Sequence, residues 1–207
     1  MDFRRTYRAA AVAYADLVSR IPADRLDSPG LGDWSLRDLI GHTASSGLRE
    51  VPSAIATSAA ELQVPSAEAY WAFARSAPRD MVEAAMAAST RDARETGKSF
   101  GDQPGTAVQD LAGRATAALA EAGDDDVVAS AIGGMRLRDW ITTRTFELAV
   151  HGLDTARAAD LPFEVSAEVL ADAAAMAARV AATVGDGAPV LRALTGRGAL
   201  PEGFSII

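Results

Sequence analysis

The chain has 207 residues, 49% of them hydrophobic, a formal charge of -8 and no cysteine. That length and apolar content suffice to bury one core, so residues 1–207 read as a single domain. The negative charge offers no field to draw in a polyanion, which argues against nucleic acid and acidic membrane surfaces as partners. The lack of cysteine excludes disulfides, thiolate metal sites and a cysteine nucleophile, so any thiol chemistry must use a thiol supplied by a cofactor or substrate.

The opening stretch M-D-F-R-R-T-Y-R-A-A-A-V interleaves charge with apolar residues. It holds no continuous apolar run of the kind a signal peptide or membrane span needs, and the expectation is a cytoplasmic protein. Helical periodicity then dominates, and no window shows the alternation of a regular strand. The spacing predicts helices at 3–20, 35–58, 66–96 with a break near Pro78, 104–122, 136–159, 166–184 and 189–195. Ser35 is placed to cap the second of these with Asp38 as its reciprocal partner, and Ser166 to cap the sixth. Residues 124–135 leave room for a short extended piece. Long amphipathic helices joined this way pack most simply as an antiparallel bundle, an all-α fold in which sites are built from side chains on facing helices.

The fifth helix carries an unusual row. Trp140, Arg144, Glu147, His151 and Asp154 are three or four residues apart and share one narrow face, flanked by Phe146, Val150, Leu137, Ile141 and Leu148. The opposite face, Arg138, Thr142, Thr145, Ala149, Gly152 and Ala156, is small or polar. The charged face is therefore expected to turn inward, where an unpartnered carboxylate or imidazole costs several kcal/mol or shifts its pKa until it is neutral.

Glu147 and His151, one turn apart, can share a divalent ion, or His151 can be a core histidine satisfied by Glu147. The other histidine, His42, lies in W-S-L-R-D-L-I-G-H on the flank of the second helix's apolar stripe, where it can face the fifth helix or simply pack. Arg144 can pair with Glu147 or hold an anionic group of a cofactor or substrate. Asp154 can orient the His151 imidazole from behind or be an ordinary late-helix charge. Asp38, one turn before His42, serves either the helix cap or the histidine. Trp34 and Trp140 read as core packing, and Arg192 and Arg197 as surface residues.

Three segments together resemble the family of mycothiol-dependent maleylpyruvate isomerases, within the DinB-like metal-binding helical bundles. They are residues 34–42 (W-S-L-R-D-L-I-G-H), 135–154 (M-R-L-R-D-W-I-T-T-R-T-F-E-L-A-V-H-G-L-D) and 191–201 (L-R-A-L-T-G-R-G-A-L-P). The resemblance implies a DinB-like four-helix bundle with additional short C-terminal helices. It makes His42, Glu147 and His151 the ligands of a divalent metal, zinc first and nickel, iron or manganese as alternatives, with mycothiol as thiol cofactor and a small-molecule substrate. Glu147 stands where other DinB-like proteins have a histidine, which points to the mycothiol branch. Such a site supports thiol transfer to an electrophile, or hydrolysis, or metal binding without turnover. The isomerase of the family carries a further C-terminal domain that helps form its active site. The expectation for this chain, read as ending at Ile207, is therefore a metal-bearing bundle without efficient maleylpyruvate isomerisation. A homodimer through an exposed helix face is a further expectation.

Overall fold

A computed structural model describes residues 2–206. Asp2 caps α1 (Phe3–Ser19) by accepting from the N–H groups of Arg4 and Arg5. Ser35 and Asp38 close a capping box at the start of α2 (Leu36–Ala44). That helix passes through a π-helical turn (Ser45–Arg49) into α3 (Glu50–Ala56), where the sequence predicts one unbroken helix. Next come α4 (Ala67–Ser76) and α5 (Arg79–Ser99). The break between them falls at Ala77, extended as a residue before proline should be. After α6 (Pro104–Glu121), the extended piece is an antiparallel hairpin, β1 (Val127–Ser130) and β2 (Gly133–Arg136). The chain closes with α7 (Leu137–Ala159), α8 (Ala167–Thr183) and α9 (Gly187–Leu194). The architecture is an all-α, DinB-like bundle.

α7 is its axis. It packs against α1, α2, α4 and α8, while α1 also lies on α6 and α2 on α5. Its aliphatic residues Leu137, Ile141 and Leu148 are wholly buried in one cluster with Tyr7 and Tyr14 of α1 and Leu36 and Ile40 of α2. Each fully buried aliphatic side chain is worth about 1.5–3 kcal/mol, enough together to offset the burial of polar groups on the same helix.

The small face of α7 is not a solvent face. Thr145, Ala149, Gly152 and Ala156 are buried as well. A Cβ at Gly152 would come within 2.4 Å of the Phe163 ring, so smallness at this position marks close approach. α2 and α5 show the same device. A Cβ on Gly41 would stand 2.2 Å from the Ala93 carbonyl oxygen and 2.5 Å from the Gly97 nitrogen. Two helices whose backbones approach this closely bring the next turns of α5 onto the residue after Gly41, which is His42. Among the described residues no helix is long and apolar enough to cross a membrane.

Candidate metal centre

The polar row of α7 turns inward toward α2 and the π-helical turn. Trp140 and Arg144 are each 3% exposed and Glu147 is 9% exposed. His42 reaches the row from α2, with its Nε2 3.6 Å from Glu147 Oε2. His151 Nε2 lies 3.4 Å from the same oxygen. The two imidazoles stand edge to face with centroids 5.0 Å apart, and one ligand atom from each of the three residues lies within 4.8 Å of the other two.

Each ring is held from behind. His151 Nδ1 lies 3.1 Å from Asp154 Oδ2, and His42 Nδ1 lies 3.2 Å from Ser89 Oγ, supplied by α5. Donation from each Nδ1–H to these oxygens would leave both Nε2 atoms, which are turned to Glu147, able to offer lone pairs to an ion held between them, the tautomer a metal ligand needs. Trp34 packs on His42 with ring centroids 4.8 Å apart. The hydroxyl of Ser46, in the π-helical turn, is 3.0 Å from the His42 carbonyl oxygen and 3.3 Å from Glu147 Oε2, and can donate to either. A π-turn is a rare departure from α-geometry, common at functional sites. Here it holds the residue that touches both α2 and α7.

The electrostatics follow from these contacts. Burial by itself would push the Glu147 carboxyl up, but the hydrogen bond with His42 and the charges of Arg144 and His151 outweigh it and hold the group at about 2. Burial would push the His151 imidazole down, yet its hydrogen bond to Asp154 and the charge of Glu147 raise it above its ordinary 6.5.

The donor set fits a divalent ion. Ligand atoms about 2.0–2.2 Å from a tetrahedral centre lie about 3.3–3.6 Å from one another, which is the spacing of Glu147 Oε2 from each Nε2. Two nitrogens and a carboxylate suit zinc and also nickel, iron or manganese. Three protein ligands leave at least one coordination position for a thiol, a water or a substrate.

Other sequence candidates lie elsewhere. Asp38 accepts from the backbone N–H of Ser35 at 3.1 Å, so its carboxylate closes the helix cap and the group behind His42 is Ser89 instead. Arg144 makes no direct bond to Glu147. Its Nη1 donates to the Ser46 carbonyl at 3.3 Å and its Nε to Thr143 Oγ1 at 3.0 Å, while Nη2 has no partner. One unpartnered donor on a buried guanidinium costs about 1–3 kcal/mol. Arg192 and Arg197 bond to backbone carbonyls of the turn after α9. Ser89 and Ser46 were not singled out from the sequence. The only available signal for Ser46 was its place one turn after His42, and Ser89 had none.

An all-α bundle that turns two imidazoles and a carboxylate onto one point between facing helices is a DinB-like metal-binding domain. The model of the mycothiol maleylpyruvate isomerase N-terminal domain matches residues 7–156, and the chain belongs to that family. Neither the curated proteins nor the solved structures include a match to the chain.

Proposed function

We propose that this chain is a metal-dependent enzyme that activates a low-molecular-weight thiol, mycothiol, for transfer to a small electrophile or for its isomerisation. The observation that carries this reading is the pair of imidazoles whose Nδ1 atoms are tied to Ser89 and Asp154 and whose Nε2 atoms share Glu147, in a protein without cysteine. His42, Glu147 and His151 would hold a zinc-like ion, which when bound would supply the positive charge that makes a thiol acidic near neutral pH. Glu147 stays ionised at any physiological pH and contributes the one negative charge of the ligand set. Asp154 and Ser89 keep both rings turned to the same point. Trp34 shields the His42 side. Arg144, one turn before Glu147, is the cation available to an anionic group on the cofactor or substrate. The partners implied are small molecules, and the acidic surface disfavours nucleic acid and acidic membranes.

The test is titration of metal-replete and metal-stripped protein with mycothiol, following a cobalt-substituted site for a thiolate charge-transfer band. Binding to the metal-replete form alone is the expected result. Equal binding to both forms, or to neither, overturns the thiol reading.

A further inference from the structure

Among the described residues, Arg144 meets its carboxylate more loosely than the other ion-paired arginines do. Arg49 closes on Asp92 at 2.5 Å and Arg75 on Asp186 at 2.9 Å, although these pairs are far more exposed. The Arg144 side chain is only 4% exposed, yet its Nη1 stands 3.9 Å from Glu50 Oε2, and the Glu50 side chain is 53% exposed. A guanidinium is a planar fork suited to two parallel bonds with one carboxylate. In Arg144 one arm of that fork bonds the Ser46 carbonyl and the other, Nη2, bonds nothing.

The surroundings supply room for a partner. Glu50, Ser53, Thr57, Tyr70, Ser130 and Trp140 line a cleft of about 330 Å³, within the usual size of a small-molecule site. The guanidinium carbon of Arg144 lies 5.3 Å from the Tyr70 ring and 5.5 Å from the Trp140 ring. Arg144 does not line the cleft itself but lies behind three of its walls, Glu50, Tyr70 and Trp140, so that moving Glu50 aside is what would open the cation to it. Trp140 presents a flat ring, Tyr70 a ring whose hydroxyl also interacts with the guanidinium, and Glu50 a carboxylate at ion-pair distance, half in solvent. The hydroxyls of Ser53, Thr57 and Ser130 offer polar contacts elsewhere on the cleft wall.

We propose that Arg144 and this cleft seat the carboxylate of a small ligand with a flat apolar body, and that Glu50 is the resident counter-ion which that carboxylate displaces. The ligand's role as substrate rests on the thiol-transfer reading; the seat itself does not. Arg144 precedes Glu147 by one turn, and Ser46 bonds to Arg144 through its carbonyl and reaches Glu147 through its hydroxyl. A carboxylate on Arg144 thus lies beside the metal centre without using any of its ligands. Glu50 determines specificity, because it excludes ligands that cannot replace its charge.

The probe is benzoate, with benzamide as the uncharged isostere, titrated calorimetrically into metal-stripped protein at low salt. Benzoate is expected to bind and benzamide not to. Glu50→Gln, which removes the competing charge at an exposed position, should tighten benzoate at least tenfold. Arg144→Lys, which keeps the charge and loses the fork, should weaken it at least tenfold, and Arg144→Met should abolish binding. Should Arg144→Met fail to fold, the opposite responses of Glu50→Gln and Arg144→Lys carry the result. Benzamide binding as well as benzoate, or a Glu50→Gln protein that binds benzoate no better than the parent, overturns the inference. Because neither metal nor thiol is present, a failure of mycothiol to bind leaves this outcome unaffected.

Discussion

The two ends of the polar row on α7 are built in opposite ways. At the later end every charged group has a partner: Asp154 holds His151, Ser89 holds His42, and both rings and the Ser46 hydroxyl converge on Glu147. One turn earlier, Arg144 lies as deep with one arm unbonded and its carboxylate at 3.9 Å. Burial of charge is therefore not what distinguishes a site here. The closed end is preorganised, with its donors already spaced for an ion to sit between them. The open end is incomplete, and its geometry improves only when something enters.

The sharpest way to break this contrast is to remove the group on which the closed end converges. Glu147→Ala leaves His42 and His151 without their shared carboxylate, and should cost about 3 kcal/mol of stability in urea melts of metal-free protein. It should also eliminate metal binding in calorimetry. Metal uptake that survived this change would show that the closed end is not the metal centre.

The next effect tests how the closed end is assembled. Gly41→Ala drives a methyl into the backbone of α5 at Ala93 and Gly97, at a cost of about 1–3 kcal/mol. Ser89 should withdraw from His42 with the rest of α5. Metal affinity should then fall about tenfold, whereas the benzoate response of the open end should persist.

Asp154→Ala is a gentler change, since it releases only the Nδ1 side of His151. Metal affinity should fall about 10–100-fold with circular dichroism unchanged. A matching fall in benzoate binding would erase the independence of the two ends.

The smallest expected effect is on pH dependence. Glu147 is depressed to about 2 from an ordinary 4.5, so its contribution to metal-free stability is present above about 4.5 and is lost as pH falls toward 2. His151 is raised from 6.5, so its contribution is complete below that value and is lost as pH rises through the folded one. Thermal melts of metal-free protein should therefore peak between about 4.5 and 6.5. Added metal should move the peak upward, because a ligand imidazole must give up its proton. An unmoved peak would mean that His151 does not ligate.

Much of this was legible in the sequence. The helices fall close to where periodicity places them, and the inward face of α7 follows from spacing alone. His42 as a partner for Glu147 came from the family resemblance, because no local pattern tells which side of a bundle a helix will face. Spacing places the charged row of α7 inward but does not tell what the small face meets. Gly152 is small because the Phe163 ring occupies the space a side chain would take. The hairpin escaped a periodicity test because its strands are four residues each and one begins Gly133-Gly134. Ser89 was invisible because its place behind His42 depends on where α2 and α5 cross, which is a property of backbones in contact.

The division of the ligands between α2 and α7 also has a kinetic consequence. Glu147 and His151 come together as soon as α7 forms, but His42 arrives only when distant parts of the chain have packed. An ion that needs all three ligands binds the native protein and has little hold on the unfolded chain or on an early collapsed state. Its binding energy should appear almost entirely in the unfolding limb of a chevron plot, with the refolding limb nearly unchanged. The metal would then act as a late latch on the bundle, prolonging the life of the folded molecule without hastening its formation.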